Sequence, residues 1–389
     1  MKPITEVYCG SKGLGKVEIV IIVLLLLPFF FVLMLLLVKF GVTVYEYRTT
    51  FIFENRGTTA IDVNLGDDVK EFVVPDIPGW QKLDKLTVYL NGKDITDICV
   101  TAEYDGGSLI KTPSYRLKPG ESVNITVIQR ILVYWAESGF TINRKMLTLS
   151  SLYSGEYSDF LTKYASTNLN GFWSKESSIY SWKSVVELAE DLETNVNSTV
   201  EYIHMVAKWV DENIAYDRET LKIKCPAETL YERKGACGDR AALVTTLLRL
   251  KEIPSFLCLS IVYEKNFSMN ISSSSLLLYY RNAALHIFSM ACKERTCVPV
   301  DTTVKMSYGR SPYVDGAGIN ISDKVIILAI IKDKDPNDYL TITLPSSSTV
   351  LIISKTLQRN EVLRENLLIF LTAIILFMAL VLVYIREEK

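Results

Sequence analysis

Histidine is nearly missing from this chain: His204 and His286 are the two present in 389 residues. Any imidazole that serves as a general base must be one of them. An excess of either charge is missing as well. Lys and Arg number 42 against 44 Asp and Glu, for a net charge of −2 and a pI near 5.9. No basic run and no basic patch interleaved with aromatics occurs, so nucleic acid is not an expected partner. Internal repeats and low-complexity tracts are also lacking, which excludes solenoid and linker-type readings. Two partial motifs lack what their chemistry needs. Gly10 to Lys16 resembles a phosphate loop, but Val17 stands where a Ser or Thr hydroxyl is required and no strand precedes it. Asp333 to Asp338 has the acidic spacing of a calcium loop without its Gly or distal Glu, so it reads as a solvated turn.

What is abundant is apolar sequence at the two ends. Mean hydropathy is +0.20. Ile19 to Val38 carries no charge and is interrupted only by Pro28; Leu367 to Ile385 is a second such run. Each is long enough to cross a hydrocarbon core of about 30 Å as a helix. The first could instead be a secretory signal, but its run is long and no small-residue cleavage site follows. Two spans put both termini on one side and everything from about Lys39 to Arg364 on the other. Flanking Lys and Arg balance: Lys2, Lys12, Lys16, Arg386 and Lys389 against Lys39, Arg48, Lys355, Arg359 and Arg364. Charge therefore does not choose the orientation. The N-x-S/T sequons at Asn124, Asn197, Asn266, Asn270 and Asn320 lean toward an extracytoplasmic centre, as possible N-glycosylation sites.

Between the ends, Tyr45 to Trp135 reads as β structure, with turn signals at Asn55-Arg56-Gly57, Asn91-Gly92, Asp105-Gly106-Gly107 and Lys118-Pro119-Gly120. Short strands at this spacing predict a sandwich of immunoglobulin-like size. Glu156 to Trp182 is aperiodic and reads as a connector with one short helix. Ser198-Thr199-Val200-Glu201 is a capping box opening a helix with Ile203, Val206, Val210 and Ile214 on one stripe. Ala241 to Leu250 is apolar nearly all round, as in a helix buried inside a domain. Strands are expected at Ser255 to Tyr263, Leu276 to Tyr280, Ala283 to Ala291, Cys297 to Asp301, Val325 to Ile331, Tyr339 to Leu344 and Val350 to Ser354. Asn266 to Ser275 reads as a polar insert between two of them. The fold class is α+β, helices first and an antiparallel sheet after. The expected organisation is a tail over 1–16, a transmembrane helix over 17–40, a β-sandwich over 43–136, a connector over 137–195, a catalytic core over 196–332, a β extension over 333–364 and a second transmembrane helix over 365–386.

The chemistry concentrates around Cys237. Lys234-Gly235-Ala236-Cys237-Gly238-Asp239 is a glycine-flanked turn that delivers a cysteine to the first turn of the apolar helix. Backbone N–H groups and the positive end of a helix dipole favour a thiolate, the nucleophilic form. Downstream follow His286, in an apolar strand, and Asp301, at the end of the next strand. Cys, His and Asp in this order form a complete set for nucleophilic acyl transfer, the carboxylate fixing the imidazole tautomer. Each alone has an ordinary reading: a core cysteine, a satisfied core histidine, a turn aspartate. Their order and local context favour the joint reading. His204 falls roughly 100° off the apolar stripe of its helix and reads as a residue on the solvated face. Seven cysteines are present. Cys9 precedes the first span, and setting Cys237 aside leaves Cys99, Cys225, Cys258, Cys292 and Cys297. Cys292 and Cys297 flank a hairpin loop, where a cross-strand disulfide can form in an oxidising compartment.

These residues resemble a known family. Gly235-Ala236-Cys237-Gly238-Asp239 with its Leu-rich helix and Glu252-Ile253-Pro254, then His286, then Val298-Pro299-Val300-Asp301-Thr302-Thr303, are similar to the core of transglutaminase-like cysteine enzymes. The likeness covers residues 200–303. It implies a papain-like fold, a Cys237-His286-Asp301 triad and thiol acyl transfer on amides: hydrolysis, amidation or Gln–Lys crosslinking. It implies no metal and no other cofactor, although animal transglutaminases use calcium. Three features depart from the family pattern. Ile287-Phe288 replaces Ala-Trp after the histidine, Cys297 replaces a Trp, and Thr302 replaces the proline after the aspartate. A second oxyanion donor is not marked; Tyr216 is the candidate beside the Cys237 N–H. The expected protein is thus a two-pass membrane protein with an extracytoplasmic cysteine enzyme. It would act on a protein or peptide substrate near its own bilayer, as a protease or amidase before a crosslinker, because water is the default acceptor. The rival reading is a catalytically inactive scaffold in cell-envelope assembly. A receptor with a signalling tail is disfavoured by the few residues after the second span.

Overall fold

The structure, a computed structural model, describes residues 42–77, 80–134, 154–194, 196–217, 222–293, 296–303 and 324–360. Both expected membrane spans, the N-terminal tail and the sequon at Asn320 lie outside these residues. Among the described residues no helix is long and apolar enough to cross a membrane. The described residues form one compact unit.

The strands in chain order are β1 (Val42–Asn55), β2 (Ile61–Val63), β3 (Gln81–Leu90), β4 (Lys93–Asp94), β5 (Val100–Tyr104), β6 (Gly107–Lys111), β7 (Tyr115–Leu117), β8 (Ser122–Tyr134), β9 (Ala215–Tyr216), β10 (Lys234–Gly235), β11 (Ser255–Ser272), β12 (Leu276–Lys293), β13 (Thr296–Val300), β14 (Val325–Ile331) and β15 (Thr349–Asn360). The α-helices are α1 (Ser154–Tyr164), α2 (Trp182–Glu193), α3 (Thr199–Asn213), α4 (Pro226–Glu232), α5 (Cys237–Leu250) and α6 (Asn337–Leu340). The first half of the capping box is in place, Ser198 Oγ accepting from the Glu201 N–H at 3.2 Å, while the Glu201 carboxylate reaches one residue past the cap and accepts from the Asn197 N–H at 2.7 Å.

Among the described residues one sheet of nine strands runs β14-β11-β12-β15-β1-β8-β3-β4, with β13 paired to β12. The early β segment and the later core therefore share a sheet. The link is β15, which pairs antiparallel with β1 from Val44↔Asn360 to Asn55↔Thr349 and parallel with β12 from Leu276↔Leu351 to Arg281↔Thr356. A β layer does pack on a β layer in the early segment: Phe51, Phe53, Val123, Ile125 and Val127 meet Val63, Ile110 and Leu117 from the short strands, with Leu65 just beyond β2. Its larger layer, however, continues into the core, so it is not a separate sandwich with its own two sheets. The sheet also curls. Gln81, on β3, donates Nε2–H to the Ile327 carbonyl at 2.8 Å and accepts from the Ile327 N–H at 2.9 Å. A side-chain amide thus stands in for a neighbouring strand along β14. Inside the curl lie Tyr45, Ile131, Phe256, Phe288 and Ile327.

Three strand expectations change. The polar insert at Asn266–Ser275 is mostly strand, the continuation of β11 to Ser272 before a tight return into β12. Asn266, Ser268, Asn270 and Ser272 are exposed while Phe267, Met269 and Ile271 are half-buried, the period of two that a strand requires. The break between the expected strands at Leu276–Tyr280 and Ala283–Ala291 is a local irregularity at Asn282, with φ +53°, inside one long strand. Tyr339–Leu344 is not a strand: α6 ends at Leu340, and the Tyr339 hydroxyl donates to the Asp105 carboxylate at 2.8 Å. In the acidic run before it, Asp335 accepts from the Asn337 N–H at 2.9 Å, as a turn residue does.

Helix α5 is buried from Gly238 to Arg249. Ala241 and Ala242 face Leu257, Leu259 and Ile287 of the sheet, while Leu243, Val244 and Leu247 meet Val206 and Val210 of α3. Its last turn holds a buried cation that the apolar reading overlooks. The Arg249 guanidinium donates to the carbonyls of Asn168 and Ser255, each at 2.8 Å, and to that of Lys332, and it stacks 4.2 Å over the Trp173 ring. Arginine suits this place because its planar fork of donors can answer several carbonyls at once.

Candidate functional site

The site is assembled where α5 begins. Strand β10 pairs with β9 in the register Gly235↔Tyr216 and leads directly into Ala236 and Cys237. The turn is locked by Asp239, whose carboxylate accepts the Ala236 N–H and the Lys224 N–H, each at 2.7 Å. Burial raises the Asp239 pKa, opposed by these two N–H bonds. Gly235 is required by close approach: a Cβ there would lie 2.5 Å from the Asp239 Cβ. Cys237 is a free thiol, half-buried, and lines a cleft of about 700 Å³.

His286 comes from β12 and Asp301 from the residue after β13, and these two strands are antiparallel neighbours. His286 Nε2 lies 2.7 Å from Asp301 Oδ2. The other carboxylate oxygen, Oδ1, accepts the Thr303 N–H at 2.9 Å and the Thr303 hydroxyl at 2.7 Å. Thr303 therefore orients the carboxylate that orients the imidazole. With Nε2 turned to Asp301, Nδ1 is the ring nitrogen the carboxylate does not engage, and the Cys237 side chain is near enough to influence the imidazole. Burial on its own lowers the His286 pKa, but the Asp301 charge and hydrogen bond, helped by Cys237, hold it well above the ordinary histidine value. Burial pushes Asp301 the other way, and His286 and Thr303 outweigh it, so its pKa is lowered. The pair thus favours imidazolium beside carboxylate.

The replacement of Ala-Trp by Ile287-Phe288 has a visible consequence. Phe288 stacks on the His286 ring at 6.0 Å and on Trp80 at 6.1 Å, giving an aromatic file behind the imidazole. Trp80 comes from far earlier in the chain.

The expected disulfide is present between Cys292 and Cys297, which face each other in the β12–β13 register. It staples the two strands that carry His286 and Asp301. Opening so short a loop is expected to cost about 2 kcal/mol by the loop-entropy relation. A Cys292→Ala/Cys297→Ala double variant should lower the urea midpoint accordingly. An unchanged midpoint, or no mass change on reduction of that peptide, would refute the staple.

The structure brings Cys237, His286, Asp301 and Tyr216 to one place: Cys237, His286 and Tyr216 line the same cleft, and Asp301 is buried behind His286. His204, half-buried on α3, does not line it. Asn124, Asn197, Asn266 and Asn270 are exposed. Among the described residues no group of three or more His, Cys, Asp or Glu side chains could hold a metal ion. Sequence reasoning quoted Asp239 without giving it work, although an acidic residue three positions past a helix cap was a legible capping signal. It missed Thr303, whose offset of two from Asp301 is a local turn signature. It also missed Arg240, next to Asp239, which pairs with Asp211 at 3.2 Å while both are buried.

The sequence model of the transglutaminase-like superfamily matches residues 186–301. No curated protein matches the chain. Among the solved structures that resemble it are three from bacteria. One is a candidate cysteine protease from Cytophaga hutchinsonii, 11% identical, covering 82% of this chain and 90% of its own, with a TM-score of 0.45. Another is a candidate protease from Parabacteroides distasonis ATCC 8503, 10% identical over 67% of this chain and 65% of its own, TM-score 0.24. The third is the periplasmic domain of TgpA from Pseudomonas aeruginosa, 12% identical over 67% of this chain and 88% of its own, TM-score 0.28.

Proposed function

From the premise that this chain carries a transglutaminase-like core over residues 186–301, we propose that it is a cysteine enzyme performing acyl transfer on amides, with water as the acceptor. The observation that carries this reading is the His286 Nε2–Asp301 Oδ2 contact of 2.7 Å, with the free thiol of Cys237 lining the same cleft as that ring. Cys237 Sγ attacks the amide carbonyl and its proton passes to His286. The imidazolium then protonates the leaving amine, and a thioester remains on Cys237. Water, deprotonated by His286, attacks the thioester, releases the acid and restores the thiol. Asp301 holds the ring and stabilises its charged form. The Cys237 N–H, with Tyr216 as a second donor, faces the developing oxyanion.

Membrane tethering with an extracytoplasmic centre belongs to the same proposal. The apolar runs at both ends, the Cys292–Cys297 disulfide and four exposed sequons support it. An inactive scaffold is the less economical reading, because Cys237 is free and faces the cleft rather than being tied in a disulfide.

Iodoacetamide labelling tests the nucleophile without knowledge of the substrate. Cys237 is expected to react below pH 7 faster than Cys99, and His286→Ala is expected to slow it about tenfold or more, since the imidazolium that pairs with the thiolate is gone. Equal rates in wild type and variant would remove the activated-thiolate reading.

A further inference from the structure

The cleft that opens at Cys237 does not end there. Along it the chain places Phe267, Met269, Leu278, Ala284 and Ile353, an apolar wall built largely by the long β11–β12 hairpin. It also reaches Tyr47, Glu71 and Lys355, which the triad does not use. Lys355 lies on β15 in register with Tyr280 of β12. Tyr280 precedes His286 by six positions on one strand, so the two points stand about 20 Å apart at the usual rise per residue.

A lysine on a strand in the middle of a sheet is costly to bury unless its three protons are answered. Here two are. Lys355 Nζ donates to the Tyr47 hydroxyl at 3.0 Å and to Glu71 Oε2 at 3.4 Å. The second bond is long, and the third N–H has no partner among the described residues. Glu71 is committed on both oxygens, since Oε1 accepts from Thr49 Oγ1 at 2.9 Å. Accessibility separates the two charges: the Lys355 side chain keeps 18% exposure and that of Glu71 only 3%. The ammonium is therefore the charge presented to the cleft, with the carboxylate behind it. Burial disfavours the charged ammonium, and Glu71 and the two tyrosines more than offset this, so Lys355 stays protonated.

We propose that the cleft holds an extended apolar peptide segment whose carboxylate is received by Lys355, about six residues from the scissile amide at 3.3–3.6 Å per residue. The carboxylate can be a chain terminus or an Asp or Glu side chain. The proposal deepens the acyl-transfer reading, on which it rests only for the position of the scissile bond.

Binding rather than turnover tests it. The full chain carrying Cys237→Ala is titrated with three fluorescent Leu/Ala hexapeptides: one with a free C-terminal carboxylate, one amidated and neutral, one amidated with a terminal Glu. The free acid or the Glu peptide is expected to bind at least about tenfold more tightly than the neutral one. Tight binding of the free acid alone assigns a chain terminus, of the Glu peptide alone a side chain, and of both a carboxylate from either source. Lys355→Met alone would strand Glu71 as a buried charge, so the variant used is Lys355→Met/Glu71→Gln, checked for an unchanged melting temperature. It should erase the preference, and Lys355→Arg should restore part of it. Equal affinity for all three peptides, no binding of any, or a preference that survives the double variant overturns the subsite. None of those results touches Cys237 labelling, which stands or falls separately.

Discussion

Replacing Cys237 by alanine is expected to reduce amide turnover by about 10,000-fold or more, the scale on which removal of a covalent nucleophile acts. The side chain is half-buried at the cleft wall and its removal leaves Asp239, the turn and the His286–Asp301 pair in place. The fold should therefore survive while the chemistry does not. Turnover of a peptide pool followed by mass spectrometry measures the loss, and trapping of a thioester on wild-type Cys237 by hydroxylamine gives the positive counterpart. Residual activity within tenfold of wild type would exclude covalent catalysis at this residue. Cys237→Ser should be nearly as impaired, because a hydroxyl is far less acidic than a thiol and His286 cannot generate the alkoxide as a resident form.

Asp301→Asn is expected to cost between about 100- and 10,000-fold in kcat, with KM little changed. The amide keeps the shape but presents no charge to imidazolium, and its NH2 can hold the ring in the wrong tautomer. Thr303 would still anchor Oδ1, so the loss would be electrostatic and not a collapse of the turn. Stability should report the same change through its pH dependence. The lowered Asp301 pKa means that its contribution is complete above the unfolded value near 4 and disappears as pH falls through the still lower folded value. The raised His286 pKa means that its contribution is complete below about 6.5 and is lost as pH rises through the folded value. The pair therefore stabilises the wild type most between those limits. Urea midpoints measured from pH 3 to 9 should show this dome in wild type and a flatter curve in Asp301→Asn. Identical curves would mean that the pair is not charged in the folded protein.

How much of this was legible depended on the range of each signal. The triad was readable because each member carries a local mark: a glycine-flanked turn before an apolar helix, one of only two histidines in an apolar strand, and an aspartate closing the next strand. The Cys292–Cys297 staple was readable because its ends are only five positions apart. The Asn266–Ser275 segment was misread although its alternation was present, because its sequons and serines suggested an exposed loop. A strand with one solvent face is polar at every second position for the same reason.

The sequence by itself determined the helix that carries Cys237, the strands that carry His286 and Asp301, and the order in which they meet, since capping, periodicity and turn chemistry act over a few residues. Only the tertiary structure decided that β15 joins β1 to β12, that Gln81 closes the curled sheet onto β14, and that Trp80 backs Phe288 behind the imidazole. It alone brought Lys355 to Glu71 across 284 positions, into the cleft that starts at Cys237. Those pairings are set by burial and register between strands far apart in the chain, and no local pattern encodes which distant strand a strand will choose.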